Sequence, residues 1–430
     1  MFIKGSKDTV ITNLVQQATA ILIFLMVPNV LPVSAFAEVT FVNVLLSFSI
    51  LADCGISFVY SRKMPSVYAR GDEFEIKKWN SSAFWTAIPG NTAFAAAVAA
   101  IYYAKYGNLT AALLLIPVPP LAAIASFSIA RLTVKADFSF YRALTSFQAV
   151  ARLVVIPFAY YLGLLGWFAS QVVTACATLF RIQRPIIQTR KDFDFGLIRT
   201  HLLEGAMLVA TTFLWLQLLY SGRLFAAMYY PNEVIAAYGL FSTGYQVVAS
   251  LVIAAFLPVT VHALKLCGDQ EKEAARFIFR MIYLSVPIVF VLGVLAAELA
   301  PVFFAMFFPR YDVDPLIVRA LIYSLFSFPI LVTLGNLFMG RRRNLHYLAI
   351  LALSLGMNWI LMIALLPRLG YRAAAVAQLV SVSLCALLMV LVSFHVFRDL
   401  IERKAYKFLL IYGQLGLLVA AYLGVRLVWT

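Results

Sequence analysis

Five ionisable side chains stand inside or at the edges of long apolar runs: Asp53, Arg152, Glu204, Arg223 and Glu298. A guanidinium at membrane depth costs roughly 2.5–3.5 kcal/mol. Arg152 and Arg223 therefore each need a buried partner, a water-filled cavity or an anionic ligand. Arg152 falls near the middle of its run and Arg223 about two turns from the outer end, whereas Asp53 and Glu204 stand about two turns or less from the inner end. Neither arginine has a carboxylate of this set at its own depth. Two such cations suit a phosphate or diphosphate group, because the forked donors of arginine match phosphate oxygens. The competing structural roles are snorkelling outward and bonding backbone carbonyls at kinks. Asp53 is placed to cap a helix or to pair with Arg62 or Lys63, and Asp53, Arg62 and Glu204 form a candidate gate or ion pair at the inner ends.

Other chemistry is poorly supplied. His201, His262, His346 and His395 fall near inner helix ends, where interfacial packing explains them better than a proton relay. Asp312 and Asp314 read as solvated loop acids without a third ligand nearby, so no metal site is expected. Cys54, Cys176, Cys267 and Cys385 show no CxxC pairing, which argues against a disulfide framework or a zinc site. No GxxxxGK[ST] sequence occurs, which excludes a nucleotide-coupled motor of that kind. No catalytic residue and no cofactor are expected.

The elements that must position the arginines are membrane helices. Of the 430 residues 63% are hydrophobic, against ~45–50% in soluble domains, and the mean hydropathy is +0.91. Apolar runs predict spans at 9–31, 37–60, 81–104, 109–130, 140–161, 164–183, 201–229, 234–264, 278–300, 316–339, 345–366 and 373–397, with a thirteenth run at 408–428. The N-terminal run continues to about Leu31 without a small-residue cleavage site, so it reads as a retained helix with its N-terminus inside. With that start, most of the 34 Lys and Arg fall in loops on the cytoplasmic side, as the positive-inside rule requires. The net charge of +15 is thus a matter of topology, and nucleic acid is not an expected partner.

The longest polar interval, RIQRPIIQTRKDFDFGLIRT, falls halfway along. The expected organisation is a six-helix bundle at 1–185, a cytoplasmic linker at 186–200, a second six-helix bundle at 201–398 and a basic segment with an extra helix at 399–430. A faint internal repeat supports two like-oriented halves: LGLLGWFASQVVTACATL from Leu162 aligns without gaps to LGYRAAAVAQLVSVSLCA from Leu369, matching Gly163 to Gly370 and Gln171 to Gln378. Small residues also recur on any helix-packing face, which is the competing explanation. The fold class is all-α, a polytopic membrane protein of two six-helix bundles around a central cavity, with prolines such as Pro157 and Pro329 breaking the helices that enclose it.

These residues resemble the polysaccharide (O-antigen type) flippases of the multidrug/oligosaccharidyl-lipid/polysaccharide exporter superfamily. FVNVLLSFSILADCGISFVYSRK is similar to that family's second helix, SGRLFAAMYYPNEVIAAYGLFSTGYQVV to its helix 7 to helix 8 connection, and LGYRAAAVAQLVS to its helix 12 entry. Many relatives carry an acidic residue just before the position of Arg223, where this chain has Ser221 and Gly222. The resemblance implies alternating access, in which two bundles rock about a cavity and move a polyprenyl-diphosphate-linked oligosaccharide from the cytoplasmic to the outer leaflet of the cell (inner) membrane. It implies membrane lipids and polysaccharide polymerase or other assembly enzymes as partners, and Arg223 and Arg152 as substrate-binding cations. The pairing of the hairpin around Arg223 with the first helices of the chain leads us to expect Arg223 to face the interface between bundles. An ion-coupled drug or small-solute antiporter of the same superfamily is the alternative, and a membrane glycan polymerase or ligase is disfavoured by the short outer loops.

Overall fold

The computed structural model describes residues 2–135, 138–182, 190–269, 271–340 and 343–397. The expected thirteenth helix, the 399–430 segment and residues 186–189 of the expected linker lie outside them. The chain is an all-α polytopic membrane protein: eleven helical segments among the described residues are long and apolar enough to cross a membrane. One of the eleven, Ser139–Ile182, is 44 residues long and contains two expected spans. It breaks at Gly163, whose φ of 59° and ψ of −134° are not helical. Among the described residues, six apolar helical passes therefore precede residue 183 and six follow residue 194.

The chain divides into two compact units between Phe213 and Leu214. The first contains α1 (Phe2–Val30), α2 (Val33–Ser47), α3 (Ile56–Arg70), α4 (Glu73–Tyr106), α5 (Leu109–Leu115), α6 (Val118–Val134), α7 (Phe138–Ala151) and α8 (Val155–Ile182). Helix α9 (Phe195–Tyr229) runs unbroken through the division. The second unit continues with α10 (Asn232–Asp269), α11 (Glu271–Phe307), α12 (Pro315–Ser324), α13 (Phe328–Gly340), α14 (Asn344–Leu369) and α15 (Arg372–Val396).

The expected span 37–60 ends early. A 3-10 turn at Phe48–Leu51 leads into a tight turn at Asp53–Gly55, and α3 then starts as an amphipathic helix rather than a membrane pass. Its apolar face, Ile56, Val59, Tyr60, Met64 and Val67, follows the spacing of a helix with one buried side. That face packs with Trp79, Ala83 and Phe84 of α4, Phe127 of α6 and Ile198 of α9. In the second unit the apolar helices differ in use: α12 and α13 are mostly buried, whereas α11 is mostly exposed. Hydropathy alone ranks α11 higher, so the core is set by packing and not by apolarity. Helix α15 suits the centre because its buried residues are mainly small, including Ala373, Ala374, Ala375, Ala377, Ser381 and Ser383, and let neighbouring helices approach.

Two 3-10 turns have one cause. Arg152–Val154 precedes Pro157, and Leu325–Ser327 precedes Pro329. Each proline lacks the N–H that would bond four residues back, to Leu153 or Leu325, and its ring crowds that carbonyl, so the preceding turn tightens. The repeat seen in the sequence has a backbone counterpart. Gly163 stands at φ 59°, ψ −134° and Gly370 at φ 56°, ψ −137°. This is the first central position of a type II′ turn, which a Cβ disfavours. Beyond Gly163 the chain folds back: a Cβ built on Gly166 would lie 1.9 Å from the carbonyl oxygen of Phe158, whereas eight residues of straight helix span about 12 Å.

Candidate functional site

Arg223 lies six residues before the end of α9, in the hairpin that α9 forms with α10. It is 6% exposed. Its Nε donates to Ser242 Oγ at 2.7 Å and an Nη to Thr243 Oγ1 at 3.0 Å. The guanidinium carbon also stands 5.8 Å from the Tyr220 ring centroid. Ser242 is one turn beyond Tyr238, and Thr243 donates in turn to Gly239 O at 2.7 Å, so α10 presents a fixed hydroxyl ledge. Two hydrogen bonds from a charged donor, each worth about 1.5–3 kcal/mol, offset the insertion cost of roughly 2.5–3.5 kcal/mol. Neutral hydroxyls leave the charge itself uncompensated. Among the described residues no carboxylate pairs with Arg223.

The same helix carries a second polar face. Asn358 of α14, fully buried, donates to Ser221 Oγ at 2.5 Å. Ser324 donates to the Tyr245 hydroxyl at 3.2 Å, and Gln378 of α15 is buried. The hydroxyl of Tyr238, the Gln217 amide nitrogen and the Asn358 amide oxygen are buried without a hydrogen-bond partner.

In the first unit, Arg62 and Glu204 pair with each other, and Asp53 has its own partners. Asp53 caps the start of α3, accepting from Gly55 N at 2.9 Å and Ser57 N at 3.2 Å. Arg62 and Lys63 turn to Glu204, at 3.5 and 3.1 Å. Lys63 Nζ also lies 3.0 Å from His201 Nδ1, and the His201 ring stacks on Trp79 with centroids 5.2 Å apart. Helix α9 comes this close because the 53–55 turn is small: a Cβ on Gly55 would stand 2.0 Å from the Gly205 carbonyl oxygen. Just ahead of α9, Asp194 pairs with Lys78 and accepts from Gly196 N at 2.7 Å and Leu197 N at 3.2 Å. The Lys78 ammonium, aided by those N–H donors, holds the Asp194 carboxyl below the usual carboxylate range.

Arg152 occupies the 3-10 turn ahead of Pro157 and is exposed. Arg152 and Arg223 belong to different units. Asp314 departs from its expected role as a solvated loop acid. It is 5% exposed, caps α12 through Leu316 N at 3.0 Å, and accepts from Arg372 Nε at 2.6 Å and the Tyr371 hydroxyl at 3.2 Å. Burial, with the Asp314 carboxylate beside it, pushes the Tyr371 phenol up to about 12. The latch fastens the loop before α12 to the turn at Gly370.

Ser242, Thr243 and Tyr238 were not singled out by sequence. Their only signal is spacing, with Tyr238 and Ser242 four apart on an apolar helix that follows an arginine. Lys63 and His201 were visible as residues but not as partners.

The described residues, six passes followed by six passes, have the fold of solved transporters that include a member of the MOP superfamily. No family profile and no curated protein matches the sequence. Among solved structures, an inward-facing multidrug resistance MATE family transporter of the MOP superfamily superposes with a TM-score of 0.70 at 12% identity, over 89% of this chain and 95% of that one. The lipid II flippase MurJ, in an inward closed conformation, gives 0.64 at 13% identity over 100% of both chains. The Vibrio cholerae MATE transporter VcmN in its bent form gives 0.60 at 14% identity, over 96% of this chain and 98% of that one.

Proposed function

We propose that this protein is a flippase that moves a polyprenyl-diphosphate-linked oligosaccharide, an O-antigen or other surface polysaccharide unit, from the cytoplasmic to the outer leaflet by alternating access of its two halves. The observation that carries the reading is the pair of cations inside the helices: Arg152 and Arg223 have no carboxylate partner among the described residues. Of the carboxylates, Glu204, Glu298 and Asp314 are ion-paired with Lys63, Arg319 and Arg372, while Glu38 and Asp53 bond neutral partners, the Tyr102 hydroxyl and the α3 amides. A diphosphate needs cations, and arginine forks suit it. Arg152, exposed on its turn, is the readier contact; Arg223 must exchange hydroxyl partners for phosphate oxygens. The likeness to MurJ over the whole length of both chains supports a lipid-linked cargo. On this reading the protein lies in the cell inner membrane with a cytoplasmic N-terminus, and assembly enzymes such as a polymerase receive its product.

The test is reconstitution in vesicles with a polyprenyl-diphosphate oligosaccharide, scoring sidedness and covalent structure of the lipid. Movement without covalent change is expected, and Arg152→Ala should slow it about tenfold at equal protein level. Absence of movement, or a change in the glycan itself, sinks the proposal. The second reading, an ion-coupled drug or small-solute antiporter, is favoured by the TM-score of 0.70 to a MATE transporter against 0.64 to MurJ. Export of a cationic dye driven by an imposed proton or sodium gradient, with the lipid left in place, would select it.

A further inference from the structure

Two observations meet in the α9–α10 hairpin. The Arg223 guanidinium is buried, and the hydroxyls of Ser242 and Thr243 satisfy its N–H groups without neutralising its charge. An ion in a low-dielectric interior is stabilised further when its charge is balanced as well as hydrogen-bonded. Beside it stands a hydroxyl with no hydrogen-bond partner among the described residues. The Tyr238 OH is buried and unpartnered, and it lies against the α9 backbone next to Arg223, where a Cβ on Gly222 would come within 2.1 Å of it. Ser242 spends an oxygen lone pair on Arg223 Nε and keeps its own O–H to give.

A cation, two O–H donors and no acid form surroundings for an anion; a metal ion or a second cation would be repelled. We propose that this hairpin of the second unit binds a small monovalent anion, of the size of chloride, between the Arg223 guanidinium and the hydroxyls of Tyr238 and Ser242. The size follows from the enclosure: Ser221, Phe225, Tyr238 and Ser242 are each at most 1% exposed, which excludes a sugar or a nucleotide from the site as it stands. The single charge follows from the single guanidinium. The inference does not depend on the flippase reading, because a drug antiporter with the same hairpin faces the same imbalance.

The full chain, purified in detergent, is melted in sodium chloride, sodium bromide and sodium gluconate at equal ionic strength, and again in choline chloride. Chloride and bromide should raise the wild-type Tm by about 3 °C over gluconate, and choline chloride should match sodium chloride. Arg223→Gln should abolish the difference, and Tyr238→Phe should weaken chloride about tenfold in a titration. Equal melting in chloride and gluconate overturns the proposal, as does a shift that follows sodium or survives in Arg223→Gln. If Arg223→Gln does not accumulate, radioactive chloride binding decides. One bromide-displaceable ion per chain, held more weakly by Tyr238→Phe, supports the site, and unchanged binding in that variant overturns it.

Discussion

The helix pair that turns at Gly163 and the pair that turns at Gly370 share a backbone and differ in cargo. Both glycines adopt nearly the same φ and ψ. Counting back eleven residues from each reaches Arg152 in the first half and Trp359 in the second, and one residue earlier stand Ala151 and Asn358. Arg152 is exposed on a 3-10 turn, while Trp359 packs towards Phe225 with ring centroids 6.4 Å apart and Asn358 is buried on Ser221. Pro157 explains the break in the first half; its counterpart in the second, Ala364, keeps its N–H and leaves α14 continuous. One scaffold therefore serves two ends. The first copy presents a cation, and the second uses the same level of the helix to hold its own unit together.

The strongest attack on this pairing is at the turns. Gly163→Ala and Gly370→Ala each force a Cβ into a region that costs about 1–3 kcal/mol, so each should lower the Tm, and by similar amounts if the turns are equivalent. A fall in one variant alone, read by melting in detergent, breaks the comparison. Next comes the level eleven or twelve residues back. Asn358→Leu leaves the buried Ser221 hydroxyl without its donor and should cost about 1–2 kcal/mol of stability. Arg152→Leu should stay within about 0.5 kcal/mol in the same melt while reducing lipid movement, which separates a cargo residue from a packing residue. Pro157→Ala should let the 3-10 turn become α-helix, slow amide exchange around residue 153 and raise stability by about 1 kcal/mol or less.

The smallest effect is expected from acid. Asp194 has a folded pKa below its unfolded value, so its contribution is present above the unfolded value of 3.8 and is lost as pH falls through the lower folded one. Amide exchange at Gly196 and Leu197 should speed up in that window, and Asp194→Asn should remove the pH dependence.

Long-period features were legible in the sequence. Apolar runs mark the spans, and LGLLGW against LGYRAA matches the two glycines at which the backbone turns. What the sequence hid was partnership. Arg223 finds hydroxyls 19 and 20 residues on, and Arg372 finds Asp314 58 residues back. Such pairs carry no local period, and Ser or Thr on an apolar helix looks the same whether it faces a guanidinium or its own carbonyl. The early end of the second span was hidden for another reason. ADCGISFVY stays apolar enough to read as membrane, and only the cap by Asp53 and the Gly55–Gly205 contact show that the chain turns there.

The twice-used glycine turn also bears on origin. A stretch of six passes returns to the side from which it began, so a gene joined in tandem to its own copy would insert both copies the same way round, with no exchange of basic loops. Each turn therefore makes one demand, a residue without a Cβ at Gly163 and at Gly370, whatever stands eleven residues back, Arg152 in one half and Trp359 in the other.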